Sequence, residues 1–404
     1  MSAAIPLPRF GKVEAALRKT TEFLAWELAC PGEDAPQWSE FEWRVAEAVA
    51  ALQGISALLS DTLQWTGPRH WQTFLAVQKT HTLLRQRRIA QLLVRIDAQA
   101  RDAGIGIVAL KGAALLEMGI YQLGERPMGD VDLLVDSSEL DAGARLLAAL
   151  GYDESGSNWR HKVFIPHEMR NSVGFGEHVD NPIRIELHSR IMERLPVFET
   201  DITALELPSQ RHAGLNAYPS IAALMRHLLL HAAGNMRARA LRLIQLHDIA
   251  LLADRMSRED WLELLGSALW WAFPPLRLAA LYYPRAIPAS LVRSLEPVCP
   301  WLLRQVSRRH RLADVSWSKV RIQAFPGIEW SQSPREALLF AMSRARPSHE
   351  ALADLSHVAE AQPSLASVPW YSLSHGARIL RWIFLRPPRV QTIFSIRSAL
   401  GHEV

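Results

Sequence analysis

The stretch LKGAALLEMGIYQLGERPMGDVDLLV, residues 110–135, decides how this chain is read. It begins where a short β-branched run, Ile105-Gly106-Ile107-Val108-Ala109-Leu110, reads as a strand. Lys111-Gly112 then opens a helical-looking AALLEMGIY, and Val131-Asp132-Leu133-Leu134-Val135 reads as a second strand. Side chains alternate along a strand, so Asp130 and Asp132 face one way while Val131 and Leu133 turn into the core. Two carboxylates on one face beside apolar neighbours are costly unless something neutralises them. A divalent ion does so, and Mg²⁺ accepts carboxylate oxygens together with phosphate oxygens. An isolated D-x-D is more often a strand-start turn with one aspartate capping and the other solvated, so the surroundings have to carry the reading.

Upstream, a glycine at the junction of strand and helix offers backbone N–H groups where phosphates bind well. Downstream, Ser137 to Leu150 reads as a helix, with Ser137 or Ser138 as N-cap and Gly151 as the stop. His161–Ile165 and Ile183–Leu187 are further strand candidates, giving an α/β unit of roughly 100 residues. In Ile183-Arg184-Ile185-Glu186-Leu187-His188 the alternation sets Glu186 between apolar neighbours, where it can lean from an adjacent strand toward the aspartate pair. Three carboxylates and a glycine-opened helix describe a two-metal phosphoryl-transfer site. His188 shares the strand face of Glu186; it reads equally as a group that orients a carboxylate or touches a phosphate and as a satisfied hydrogen-bonding histidine.

From Leu110 to His188 the chain resembles the polymerase-β-like nucleotidyltransferase superfamily, and specifically a bacterial group with L-K-G, R-x-M-x-D-h-D-h-L-V and h-E-L-H signatures. Here these are Leu110-Lys111-Gly112, Arg126-Pro127-Met128-Gly129-Asp130-Val131-Asp132-Leu133-Leu134-Val135 and Ile185-Glu186-Leu187-His188. The resemblance extends weakly through Leu241–Leu252, where Asp248 sits in LIQLHDIALL. It implies transfer of a nucleoside monophosphate from an NTP, with ATP the expected donor, and release of pyrophosphate. It also implies Mg²⁺ (or Mn²⁺) held by Asp130, Asp132 and Glu186, with Lys111, Gly112, Arg126 and His188 on the nucleotide side. The glycine-serine or glycine-glycine pair usual in the superfamily is Gly112-Ala113 here, and the step from Gly112 to Asp130 is longer than in many members. Lys111 and Arg126 are the cations expected to make up the missing phosphate contacts, as point charge and fork; the plain alternatives are a solvated lysine and an arginine paired with Asp130 or Glu125. Members of the group occur beside biosynthetic clusters for lasso peptides, so a ribosomally made peptide is an expected acceptor beside a small molecule.

Around this unit the apolar spacing is helical. Residues 12–30, 40–64 and 69–101 precede it; 219–233, 239–255, 258–271, 275–283, 289–310, 333–345 and 347–361 follow. The expected fold is α+β and predominantly helical: a small mixed β-sheet core over 96–200, an N-terminal helical region over 1–95 and a C-terminal helical domain over 201–404. At 404 residues, 49% hydrophobic and 21% charged, the chain is an ordinary folded protein too long for one small module. The net charge of +4 is spread as scattered arginines, compatible with a nucleotide but giving no support for a nucleic-acid track. Fourteen tryptophans mostly fall in helical periodicity and read as core. Cys30 and Cys299 are too far apart in sequence, and lack a CxxC partner, to suggest a disulfide framework or a cysteine-zinc site. No apolar run of about 18 residues occurs and the N-terminus lacks a signal-type apolar stretch, so a cytoplasmic protein without a transmembrane segment is expected.

Other signals are weaker. His227 and His231 at i, i+4 could bind zinc, yet no glutamate follows His227 and no third ligand is spaced nearby, so helix packing is the better reading. Neither GxxxxGK[ST] nor G-x-S-x-G is present, which demotes P-loop and hydrolase readings. Leu373–Leu400 mixes Arg378, Arg381, Arg386, Arg389 and Arg397 with aromatic and aliphatic residues; it could bind an acidic membrane surface or a peptide partner, but Arg386-Pro-Pro-Arg389 would interrupt a continuous helix, and a packed C-terminal helix whose arginine stems cover apolar surface is the better reading. The rival to an enzyme is a helical scaffold that keeps a nucleotide-binding remnant without turnover; it gains if Glu186 turns into the core or pairs elsewhere. Alanine at Asp130 or Asp132 is expected to abolish turnover and leave folding largely intact.

Overall fold

The computed structural model describes residues 10–157, 160–168, 176–208, 211–266, 269–317, 325–346 and 374–384. The helix expected over 347–361 and most of the arginine-rich Leu373–Leu400 segment lie outside these residues; within that segment His375–Phe384 is helical. The fold is α+β and predominantly helical, as the patterning indicates.

Four helices come first: α1 (Phe10–Ala29), α2 (Glu40–Gln53), α3 (Ser56–Thr62) and α4 (Arg69–Ala103). The apolar run expected as one helix over 40–64 breaks because Gly54 adopts φ +70°, the left-handed conformation that ends helices and that glycine accepts without steric cost. Ser39 and Glu42 form a reciprocal capping box that starts α2. Between α1, α2 and α4, Trp38, Trp43, Trp65 and Trp71 pack edge-on, tilted and, for Trp65 with Trp71, stacked, with ring centroids 4.9–6.4 Å apart.

The sheet has six strands in the order β3-β4-β5-β2-β1-β8. These are β1 (Gly106–Ala109), β2 (Asp130–Leu134), β3 (Tyr152–Ser157), β4 (His161–Pro166), β5 (Arg184–His188) and β8 (Gly214–Asn216). A separate hairpin joins β6 (Met192–Arg194) to β7 (Glu199–Asp201). The helix α5 (Lys111–Glu117) follows β1, and α6 (Leu140–Ala149) follows β2. β2 lies antiparallel to β1 and parallel to β5, with Asp132 opposite Glu186 and Leu134 opposite His188. β4 runs antiparallel to β5, with His161 opposite His188.

This register sorts the side chains onto two faces. Ile107, Ala109, Val131, Leu133, Ile185 and Leu187 pack against Ile89, Leu93 and Ile96 of α4 and Leu146 and Leu147 of α6. Val108, Leu110 and Leu134 face the other way and join a second, larger core. Its helices include α8 (Ile221–Arg237), α9 (Leu243–Ala253) and α11 (Phe273–Tyr282). α10 (Arg258–Leu265) packs beside α8. The run expected over 289–310 is two helices, Ala289–Leu295 and Trp301–Ser307, with Pro300 as the cap of the second. The same core takes in α1, which is also tied across 296 residues by Arg18 to Asp314 (2.6 Å) and across 260 by Tyr282 to Glu22 (2.8 Å). Among the described residues no single helix is long and apolar enough to cross a membrane.

Candidate active site

Where the polar ends of β2, β4 and β5 meet α8 and α9, the sheet face opposite α4 opens into a cleft of about 370 Å³, within the range of small-molecule pockets. Lys111, Gly112, Arg126, Asp130, Asp132, Glu186 and His188 all line it. Residues separated by up to 77 positions in sequence are brought together because β1 and β5 both pair with β2, and β2 and β5 carry their even-numbered side chains on one face.

Asp132 is buried and neutralised from two sides. Lys111 Nζ donates to its Oδ1 at 2.6 Å and His188 Nε2 to the same oxygen at 3.0 Å. Burial alone pushes a carboxyl up, but the Lys111 and His188 charges outweigh it and hold Asp132 well below the usual range. Lys111 sits at φ +48°, a backbone conformation uncommon for a residue with a Cβ, at the turn from β1 into α5. Burial depresses its ammonium, and the facing aspartate more than restores it, so it stays charged. His188 is likewise disfavoured by burial as a cation and raised overall by its hydrogen bonds to Asp132 and Glu186.

Asp130 opens onto the cleft but is surrounded by protein, and its carboxyl is pushed up to about 6 by burial and then by the charges of Asp132 and Glu186. The two aspartates share their charge unequally: Asp132 holds the ionised form, and Asp130 takes the first proton. Glu186 faces the same side, its Oε2 3.4 Å from His161 Nδ1 and 3.6 Å from His188 Nε2.

Arg126 is anchored by a residue from outside the α/β unit. Its Nε and Nη2 donate to the two carboxylate oxygens of Asp248 in α9 at 2.8 and 2.7 Å, and Tyr121 Oη donates to Asp248 as well (2.7 Å). The carboxylate partner is therefore Asp248 and not the nearer Asp130 or Glu125. Burial works against the Arg126 cation, but Asp248 outweighs it and raises the pKa overall, leaving the guanidinium charged. Gly112 lies directly under this arginine: a Cβ there would come within 2.3 Å of Arg126 Nη1. The loop that carries Arg126 is held from α4, where Gln86 Nε2 donates to the Arg126 carbonyl (2.8 Å) and Arg85 Nη2 to that of Met128 (3.1 Å).

The sequence reading missed several groups in this cleft. His161, seen only as the start of a strand, stands opposite His188 with ring centroids 4.8 Å apart. Arg160 forks onto Glu193 of β6 at 3.0 and 2.5 Å, and Arg242 lines the wall by α9. Nothing in local spacing signals them: His161 depends on strand register, Arg160 on a β6 carboxylate 33 residues away, and Arg242 on where α9 begins. His227 and His231 line the cleft too, but take separate partners, Tyr218 Oη at 2.6 Å and Glu193 at 3.8 Å.

A family model described as uncharacterised nucleotidyltransferase matches residues 39–286, more than half of the chain. The chain belongs to this nucleotidyltransferase family. It is accordingly a transferase of nucleotidyl groups. The matched span runs from the cap of α2 to beyond α11 and includes every residue of the cleft named above; α1 precedes it. No curated protein and no solved structure matches the chain.

Proposed function

We propose that this nucleotidyltransferase moves a nucleoside monophosphate from an NTP, ATP by expectation, onto a hydroxyl or phosphate of a small molecule or peptide, with Asp130, Asp132 and Glu186 as the cation-holding carboxylates. The observation that carries the reading is the convergence of these three groups on one face of two paired strands, inside a cleft otherwise rimmed by Lys111, Arg126 and Arg242. The fit to a divalent cation rests on Asp130, whose carboxyl is driven up to about 6 by burial and then by the negative charge of Asp132 and Glu186, and which a cation would return to the ionised state. Bound there, Mg²⁺ or Mn²⁺ would clamp phosphate oxygens and lower the pKa of the attacking group.

The chain's own residues would do the rest. Lys111 and His188 hold Asp132 ionised and fixed. Arg126, immobilised by Asp248, presents Nη1 over Gly112, where the triphosphate is placed in this reading; the Gly112 backbone and Arg242 complete that wall. The acceptor oxygen attacks the α-phosphorus, the bond to the β-phosphate oxygen breaks, pyrophosphate leaves, and the acceptor proton passes to a carboxylate on the cleft floor. The scattered basic charge supports a compact acceptor over a polynucleotide, and lasso-type peptides are the peptide class to try first.

The test is incubation of the purified chain with each α-labelled NTP, Mg²⁺ or Mn²⁺, and cell extract separated into small-molecule, peptide, protein and RNA fractions, beside Asp130→Asn. Label entering one fraction with the wild type alone supports the reading and names the acceptor class. Equal labelling by Asp130→Asn removes the carboxylate assignment, and nucleotide binding without transfer to any fraction revives the scaffold.

A further inference from the structure

We propose that His161, Glu186 and His188 form a second kind of cation site, a mixed imidazole–carboxylate set that takes a borderline transition ion of the Zn²⁺ or Co²⁺ class in preference to Mg²⁺. The three residues come from adjacent antiparallel strands, and the pairing of His161 with His188 sets their rings side by side. One donor atom from each lies within 4.8 Å of the others, with Glu186 Oε2 3.4 Å from one imidazole nitrogen and 3.6 Å from the other. Ligands at about 2.0–2.2 Å around a tetrahedral ion stand about 3.4 Å from one another. The donor atoms, now within 4.8 Å of one another, would close to that spacing on loading.

The chemistry of the donors decides the ion. Mg²⁺ favours oxygen ligands in near-ideal octahedral geometry and retains its waters, whereas imidazole nitrogen suits zinc-like ions. Two histidines and a glutamate are also a donor set that leaves a fourth position open on zinc, and here all three residues line the cleft. His188 Nε2 is the atom that donates to Asp132, so loading the site would draw it from that contact while Lys111 keeps the aspartate paired. The site shares Glu186 with the transfer site proposed above and rests on that reading only for its place beside the chemistry; ion binding itself is measured without nucleotide.

Chelator-stripped full-length protein is titrated with Co²⁺ alone, followed by its visible d–d absorption. One saturable site is expected, bleached by stoichiometric Zn²⁺ and insensitive to a large excess of Mg²⁺. His161→Ala should weaken it by at least about tenfold, since even outer-shell changes cost about 10–100-fold. His161→Gln gives the same reading if the alanine variant fails to fold, as judged by far-UV circular dichroism. Asp130→Asn, which removes a neighbouring carboxylate, should keep the cobalt spectrum. Unchanged binding in a folded His161 variant, ready displacement by Mg²⁺, or loss of the spectrum in Asp130→Asn overturns the proposal. Mg²⁺-supported label transfer on the same preparations separates the two ideas: transfer without a cobalt site overturns this one alone, and a cobalt site without transfer supports it while counting against the other.

Discussion

Asp130 and Asp132 stand two residues apart on one strand and carry different burdens. Asp132 is the counter-charge of a lysine with little solvent around it, so Asp132→Asn strands that ammonium and should cost on the order of 3 kcal/mol of stability in addition to activity. Asp130 is repelled by its neighbours, and Asp130→Asn should leave stability unchanged or raise it while abolishing transfer. Denaturant unfolding beside the label-transfer assay checks both; equal losses of stability would contradict this division of labour. The sequence expectation that neither change harms folding holds for a face seen alone. It misses Asp132 because Lys111, 21 residues upstream, turns back onto it through a left-handed backbone step that composition and periodicity do not register. Gly112→Ala belongs to the same scale. Its methyl would displace the Arg126 guanidinium, and about 1–3 kcal/mol of destabilisation with a raised KM for the NTP is expected. Wild-type KM and melting temperature in that variant would mean that Arg126 moves aside at no cost.

At the scale of elements, the strands and helices nearest the site were legible from their patterning: Ile183–Leu187 alternates, Val131–Val135 is a short apolar run broken only by Asp132, and α4 carries apolar residues at helical spacing, although its buried face between Leu75 and Ile89 is Gln78, Thr82, Arg85 and Gln86. β3 was not legible, since Asp153-Glu154-Ser155-Gly156-Ser157 is polar on both faces and has β4 as its one strand partner at the sheet edge. β8 was missed for a related reason: three residues, Gly214–Asn216, join the sheet as an edge strand parallel to β1. The cap after β2 also differs from the sequence reading. Asp136 accepts from Ser138 N at 2.9 Å and from its hydroxyl at 2.7 Å, so the aspartate caps where a serine was expected. The link between α9 and the loop before β2 runs through Arg126 and Asp248. Asp248→Asn would leave a buried arginine half-satisfied, and a loss of about 3 kcal/mol is expected, larger than for an exposed pair such as Arg190–Asp201. Similar melting temperatures for Asp248→Asn and Asp201→Asn would refute it.

Two buried histidines in the helical part of the fold give the whole molecule a pH dependence. His247 and His310 are each pushed down to about 4, first by burial, from a usual value near 6.5. Between those values the unfolded chain binds protons that the folded chain refuses, so their contribution is complete above about 6.5 and is lost as the pH falls toward about 4. A His247→Gln/His310→Gln variant should show a shallower decline of stability across that window, and an unaltered decline would assign it to other groups. Because one core joins α1 to α8, α9 and α11, thermal unfolding followed by near-UV and far-UV circular dichroism should give one coincident transition; two separated steps would show that the N-terminal helices fold on their own. The tie between Arg18 and Asp314 also has a consequence during synthesis. At about 5–20 residues per second, the ribosome needs roughly 15–60 s to add the 296 residues between them. For that interval the apolar side of α1, with Leu17 and Leu24, lacks part of its final cover, and the nascent chain is then most open to chaperones and to self-association.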